Sequence, residues 1–275
     1  MGRLQLDLGS SAREGDLSAR AGFPLSHRGG EPIPEHGFVA DETLTRPLGA
    51  LAGVASSVDA SDRSIAYWML NGVRAPSLAI APSALRYELT GFSGARPGDE
   101  LPKSLGHVHA TPHGAVHGYP EIIEVLHGRI AFMIFDLRAS ARGAIGERAW
   151  IVVGDPGDAI VLPPDLHHLT IVADHGPAVF ADVIDRGATG DYAQLRAAGG
   201  GPYLARPDGA LEANPRWAQH PHLDLLTAAE WNGVAPLDRP LGRTLAEAPG
   251  ALAWLSDPDG FSARFPALGA RTSRS

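Results

Sequence analysis

Cysteine is absent from the sequence, so neither a disulfide framework nor a thiolate nucleophile can contribute to its fold or chemistry. The first 23 residues mix charged residues and serine with isolated leucines, and they contain no apolar core of signal-peptide length. Nowhere do about 18 apolar residues follow one another, as a membrane-spanning helix requires. We therefore expect a soluble cytoplasmic protein without a membrane partner.

Positive charge is scarce as well. The formal net charge of −8 argues against a nucleic acid or an anionic membrane as partner, although a small anionic substrate needs only local donors. Lys103 is the only lysine, and it lies beside Ser104 and close to Gly106. An ammonium, a hydroxyl and an exposed glycine N–H could together bind a phosphate dianion. This segment is therefore a candidate phosphate site, with a surface turn as the alternative.

The middle of the chain reads as short strands separated by turns. Hydrophobic content of 44% over 275 residues allows one large β domain with extensions or two smaller domains. Short strands punctuated by Gly and Pro favour a sandwich or barrel over alternating strand and helix units. The predicted strands are Ser64–Leu70, Leu85–Thr90, Leu105–Ala110, Glu121–His127, Arg129–Leu137, Arg148–Val153, Ala159–Leu162, His168–Ala173 and Ala178–Ile184.

The two ends of the chain differ from this pattern. Residues 1–45 are rich in Gly, Pro, Ser and charge, which predicts an arm that wraps the barrel or a partner subunit, or else a partly disordered tail. Short helices are predicted within Thr45–Ser57, Asp191–Arg196 and Thr244–Leu255, and Thr227 and Glu230 have the spacing of a capping box. The expected domains are an N-terminal arm (1–60), a barrel (61–187) and a C-terminal extension packed on the barrel (188–275).

Eight of the twelve histidines lie between residues 107 and 175. His107 and His109 are separated by one residue, so on a strand both side chains leave the same face. Glu121 and His168 each begin another strand-like run. If these strands are neighbours, the four side chains point to one spot. Three imidazoles and one carboxylate suit a divalent ion such as Fe²⁺, Mn²⁺, Ni²⁺ or Zn²⁺.

The spacing of these residues resembles the two motifs of the cupin superfamily. His107-x-His109 with Glu121 and Gly128 resembles the first motif, and Gly157, Pro163 and His168 resemble the second. The resemblance implies an all-β cupin fold, the double-stranded β-helix or jelly-roll barrel. It also implies that His168 rather than His167 is the third histidine ligand.

Three departures from the cupin pattern are visible. The usual glycine of the second motif falls on Asp165, its usual asparagine falls on Val172, and the spacer between His109 and Glu121 is longer than usual. His113 and His117, which lie in this spacer, are predicted to be solvent or lid residues rather than ligands.

Several stretches within about residues 60–220 are similar to the cupin-type glucose-6-phosphate isomerases. They are Tyr67-Trp68-Met69, Leu85–Thr90, Pro102–His107, Tyr119–Ile122 and Gly201–Tyr203. The similarity implies an isomerase that interconverts glucose 6-phosphate and fructose 6-phosphate and acts as a homodimer. It further implies one divalent metal per chain, Fe²⁺ first.

The same resemblance implies the roles of individual residues. Glu121 would be both a metal ligand and the proton-transfer group, and Thr90, Ser104 and Gly106 would contact the sugar phosphate. Two family phenols are missing, however, because Ile123 and Ile184 stand where tyrosines are usual. An apolar pocket of this kind leaves two alternatives open: a cupin dioxygenase (Fe(II)) or lyase acting on a less polar substrate, and a sugar-binding cupin without turnover.

Overall fold

The computed structural model describes residues 4–75, 84–137, 147–233 and 235–272. Within them the strands are β1 (Glu14–Asp16), β2 (Leu25–Arg28), β3 (Glu31–Pro34), β4 (Glu42–Pro47), β5 (Ile65–Asn71), β6 (Leu85–Phe92), β7 (Val108–His109), β8 (Glu121–His127), β9 (Ile130–Phe135), β10 (Arg148–Gly154), β11 (Ala159–Leu162), β12 (His167–Val172), β13 (Ala178–Asp185), β14 (Gly190–Asp191), β15 (Tyr203–Ala205), β16 (Leu211–Ala213) and β17 (His222–Thr227).

The helices in the same residues are short. The α-helices are α1 (Ser18–Ala21), α2 (Ala193–Ala198), α3 (Ala228–Asn232), α4 (Leu241–Glu247), α5 (Phe261–Arg264) and α6 (Pro266–Thr272), and 3-10 helices span Leu48–Leu51, Pro249–Ser256 and Pro258–Gly260. In the described part of the chain, no helix is long and apolar enough to cross a membrane.

Two sheets form the centre of the molecule. One has the order β11-β8-β13-β6-β5-β4, with every pair antiparallel, and the other has the order β12-β9-β10-β17. An isolated antiparallel bridge between His107 and His168 brings the segment before β7 beside β12. The eight strands β6 to β13 therefore lie in two layers, β6-β13-β8-β11 and β7-β12-β9-β10, and successive strands change layer except at β9 and β10. This is a jelly-roll order, and the predicted all-β cupin architecture is confirmed.

The space between the layers is filled by large apolar side chains. Phe132 of β9 and Phe180 of β13 meet edge to face across it, with ring centroids 5.6 Å apart. Such an aromatic pair adds about 0.5–1.5 kcal/mol beyond the area that it buries. Strand β9 is apolar throughout because its other face is covered too: Phe135 packs edge-on against Trp217 at 5.8 Å.

Both ends of the chain pack on this body. Leu17 and Leu25 are buried in the same cluster as the residues between the sheets. From the other end, the buried indole N–H of Trp231 donates to the carbonyl of Val161 on β11 at 2.7 Å. Residues from both ends of the chain therefore share one buried apolar cluster with the strands.

Every predicted strand overlaps an observed one, and Glu121–His127 and Ala159–Leu162 have the predicted bounds. The largest difference is at Leu105–Ala110, where only Val108–His109 pair as a strand. Gly106 has a φ of 76°, which takes the backbone out of the extended region. The predicted strand is therefore interrupted at this glycine.

The helix predictions need correction at their ends. Only Leu48–Leu51 is helical within Thr45–Ser57, because β4 continues to Pro47. The helix predicted at Asp191–Arg196 begins at Ala193, whose N–H bonds the Asp191 carboxylate at 2.8 Å. The helical stretch predicted at Thr244–Leu255 is divided at Pro249. The capping box of Thr227 and Glu230 is present as predicted.

Candidate active site

A cavity of about 310 Å³ lies between the two layers. Its floor is one face of the first sheet, since the lining positions recur every second residue along each strand: 44 and 46, 67 to 71, 86 to 90, 121 and 123, and 180 to 184. The strand register places Met69, Thr90 and Phe180 in one row, and Glu88 and Asp182 opposite each other in the next.

Three predicted ligands meet on the cavity wall. The ligand nitrogens of His107, His109 and His168 all lie within 4.8 Å of one another. Two reciprocal backbone hydrogen bonds between His107 and His168, of 2.9 and 3.0 Å, join the strand segments that carry them. The i, i+2 spacing on β7 brings His109 to the same place, with its Nε2 3.0 Å from that of His107.

Backbone carbonyls set the tautomers of two of these rings. His109 Nδ1–H donates to the carbonyl of Tyr119 at 3.0 Å, and His168 Nδ1–H donates to that of Leu166 at 3.3 Å. Each Nε2 therefore presents a lone pair to the cluster, as a metal-ligating histidine does. Burial lowers the pKa of His109 to about 4 and that of His107 and His168 well below 6.5, which keeps the rings neutral.

Glu121 lies beside two of these histidines. Its Oε2 lies 3.5 Å from His109 Nε2 and 3.6 Å from His168 Nε2, at the start of β8. Burial, reinforced by the charge of Glu88, raises the pKa of Glu121 to about 8. A cation among these donors would favour the ionised carboxylate. His168 Nε2 is buried without a hydrogen-bond partner among the described residues. Three neutral imidazoles around one point fit a divalent ion, and the Glu121 carboxylate lies beside two of them.

Two further acidic side chains, Glu88 and Asp182, lie on the cavity floor, and they were not identified from the sequence. Glu88 and Asp182 are cross-strand partners, and Arg86 pairs with Glu88 at 2.5 Å. Burial, and then the charges of Glu88 and Glu121, raises the pKa of Asp182 well above its usual value. The alternation of Arg86, Glu88 and Thr90 was a visible signal that these charges share a face with Thr90. No sequence signal placed Asp182 beside them, because it lies almost a hundred residues later in the chain.

Of the predicted phosphate residues, Thr90, Ser104 and Gly106 line the cavity. Ser104 Oγ accepts the N–H of Thr170 at 2.9 Å, which orients its hydroxyl. Gly106 has a packing reason as well, because a Cβ there would lie 2.7 Å from Leu169 Cβ, too close for any other residue.

The prediction for Lys103 is wrong. Its ammonium is not on the cavity wall but in a buried ion pair with Glu100 at 2.6 Å, and it also donates to the carbonyl of Val54 at 2.8 Å. His167, predicted not to be a ligand, stacks instead on Phe135 with ring centroids 5.9 Å apart.

Two of the three departures from the cupin motifs have local explanations. Asp165, at the usual glycine, has a φ of 67°, a conformation that Asp tolerates better than most residues. Its carboxylate accepts the N–H of Gly118 at 2.8 Å and pairs with His117 Nδ1 at 2.6 Å. Asp165, which replaces the glycine, thus holds the long spacer before Glu121 through these two contacts.

Ile123 and Ile184 both line the cavity and are buried there. The apolar lining expected from the two missing phenols is therefore real. Tyr192, at the start of α2, contributes a phenol from outside the jelly roll, and its ring lies 5.3 Å from that of His107. Sequence reasoning assigned Tyr192 only to a helix.

A jelly roll with this donor set defines a cupin with a candidate metal centre. A family model for glucose-6-phosphate isomerase (GPI) matches residues 58–220, more than half of the chain. The chain belongs to the glucose-6-phosphate isomerase family, in its cupin type. Membership favours the predicted class of enzyme, an isomerase. A comparison with curated proteins finds no match.

Solved structures that resemble the chain do so distantly. Fe(II) HppE is 19% identical over 43% of this chain and 50% of its own, with a TM-score of 0.28. An oxalate oxidase in complex with glycolate is 15% identical over 36% and 41%, with a TM-score of 0.27. An oxalate decarboxylase is 17% identical over 56% and 31%, with a TM-score of 0.31. The matches span half or less of these three proteins.

Proposed function

We propose that the protein interconverts glucose 6-phosphate and fructose 6-phosphate. The observation that carries the proposal is the position of Glu121: a buried carboxylate beside two histidines of the neutral three-histidine cluster, in a cavity that Thr90 and Ser104 also line. Family membership supports the reaction class.

The reaction moves a hydrogen between C1 and C2 of an open-chain sugar. Glu121 would take the proton from one carbon and return it to the other, a role worth about 10²–10⁴-fold in rate. His107, His109, His168 and Glu121 would hold one divalent ion, proposed to be Fe²⁺. When bound, the ion would polarise the substrate carbonyl as a Lewis acid. Glu121 would then have to exchange between the ion and the substrate.

Hydroxyl groups would hold the other end of the substrate. Thr90 on β6 and Ser104 both offer hydroxyls to the cavity, and Gly106 leaves the backbone beside them without a side chain. Because these groups do not face the reacting carbons, their loss should raise KM more than it lowers kcat.

A second candidate function follows from Ile123 and Ile184. Two buried isoleucines make part of the cavity wall apolar. That observation favours a cupin dioxygenase or lyase with a less polar substrate, and the two candidates differ in whether oxygen is consumed.

The deciding experiment follows deuterium incorporation at C2 of hexose phosphates in deuterated water, beside oxygen uptake. Metal-loaded protein should show exchange without oxygen, and chelator should abolish it. Glu121→Gln should lose the exchange. Glu124→Gln is the matched control, because Glu124 lies on the same strand but binds the backbone N–H of Leu241 away from the cavity, at 2.7 Å. Oxygen uptake without exchange would refute the isomerase proposal.

A further inference from the structure

Cations around the cavity are mostly neutralised. Arg86 pairs with Glu88 at 2.5 Å and donates to two backbone carbonyls. Lys103 forms an ion pair with Glu100. Arg46 also lines the cavity, yet it makes no ion pair with any residue that the structure describes. Its Nε is shielded from solvent and has no hydrogen-bond partner among these residues. A guanidinium left in this state has unused donors for an anion.

The register places Arg46 at the hydroxyl-lined end of the cavity. Arg46 on β4 is the cross-strand partner of Tyr67 on β5, in the row next to the one that contains Thr90. The Tyr67 hydroxyl accepts the N–H of Leu105, the residue after Ser104, at 3.3 Å. Arg46, Thr90 and Ser104 therefore converge on one region.

The opposite end of the floor is acidic. Glu88 and Asp182 lie two rows from Arg46, about 13 Å along the strands at ~3.3 Å per residue. Glu121 lies on that side as well, because the register pairs its neighbour Ile123 with Asp182. A dianion would be repelled at the acidic end and attracted at the other.

We propose that Arg46 is the cationic ligand of the substrate phosphate, completing the site of Thr90, Ser104 and Gly106. The inference rests on the proposed function, because it takes the substrate to be a phosphate monoester. It also assigns a role to a residue outside the stretch 58–220 that matches the isomerase family. The residue would set the preference for phosphorylated over unphosphorylated sugars.

The test measures binding, not turnover. Titration calorimetry of metal-loaded protein would compare three probes: glucitol 6-phosphate, glucitol and inorganic phosphate. Arg46→Gln should weaken glucitol 6-phosphate about 10- to 100-fold, the loss expected for a hydrogen bond to a charged group. It should abolish phosphate binding and leave glucitol unchanged. Arg46→Lys keeps the charge but not the planar guanidinium. Its affinity for glucitol 6-phosphate should lie between those of the wild type and Arg46→Gln.

The matched control is Arg63→Gln, which removes the same charge from an exposed arginine outside the cavity. It should bind all three probes as the wild type does. Equal weakening of glucitol and glucitol 6-phosphate by Arg46→Gln, or no weakening of either phosphate probe, would overturn the inference. So would a wild-type protein that binds neither phosphate probe. If phosphate binding depends on Arg46 but no hexose phosphate exchanges deuterium, the isomerase proposal fails and this inference stands.

Discussion

Replacing Lys103 should damage the stability of the fold and not the affinity for substrate. The side chains of Lys103 and Glu100 are 6% and 1% exposed, and their charged atoms lie 2.6 Å apart. Lys103→Ala would leave the Glu100 carboxylate buried, with the N–H of Ser56 as its remaining bond at 2.5 Å. Breaking a buried ion pair by removing one partner typically costs about 3–5 kcal/mol in the free energy of unfolding.

The assay is urea unfolding of Lys103→Ala, Glu100→Gln and the double variant Lys103→Met/Glu100→Gln. The double variant should recover much of the lost stability, because no unpaired charge remains inside. The control is Arg239→Ala, which removes an exposed pair with Glu247 at 3.1 Å and should cost about 0–1 kcal/mol.

Kinetics complete this test. KM for hexose phosphate should change little in Lys103→Ala at temperatures where the variant remains folded, since the ammonium does not reach the cavity. A Lys103→Ala protein that unfolds like the wild type but binds the phosphorylated substrate much more weakly would show that the lysine serves the phosphate after all.

Three further predictions follow from the structure. His168→Ala should reduce bound metal far below one per chain while leaving the far-ultraviolet circular dichroism unchanged, and full occupancy by elemental analysis would refute the ligand set. Burial raises the pKa of Glu124 to about 7; its folded-state pKa therefore exceeds the unfolded value, and the stability it contributes is present below pH 4.5 and lost as pH rises through about 7. Glu124→Gln should accordingly gain stability relative to the wild type at pH 8 but not at pH 4, and equal unfolding midpoints at pH 8 would contradict this sign. We also propose a C2 homodimer, since β4 is an edge strand, and Leu44 on β4 and Ile65 on the neighbouring β5 are 39% and 37% exposed; a monomer by light scattering at micromolar concentrations would exclude it.

The strands and the histidine cluster could be read from the sequence because both rest on local spacing. Alternation with period two identifies β8 and the face of His107 and His109 without any knowledge of the neighbours. The motif register then chose His168 over His167, and the structure places their rings on opposite faces of β12. The first two inferences used residues only a few positions apart, and the choice of His168 used the resemblance to the cupin motif that runs from Gly157 to His168.

The role predicted for Lys103 is wrong because local spacing gives side-chain directions only within a regular strand. Lys103 and Ser104 lie in a segment that Gly106, with its positive φ, separates from the regular strand. Outside a regular strand the two-residue alternation of side chains is lost. The position of Lys103 next to Ser104 therefore does not tell which way the lysine side chain points. The structure sends the serine to the cavity and the lysine to Glu100.

The charges of the cavity floor could not be predicted because they meet only through strand register. Asp182 faces Glu88 since β13 pairs with β6, and Arg46 faces Tyr67 since β4 pairs with β5. A shift of either pairing by one residue would turn these side chains to the other face of the sheet. The segments that flank the jelly roll thus contribute to the site, Arg46 from before it and Tyr192 from after it. Substrate preference in this chain should therefore change with substitutions in the flanking segments, even when every cupin motif residue is retained.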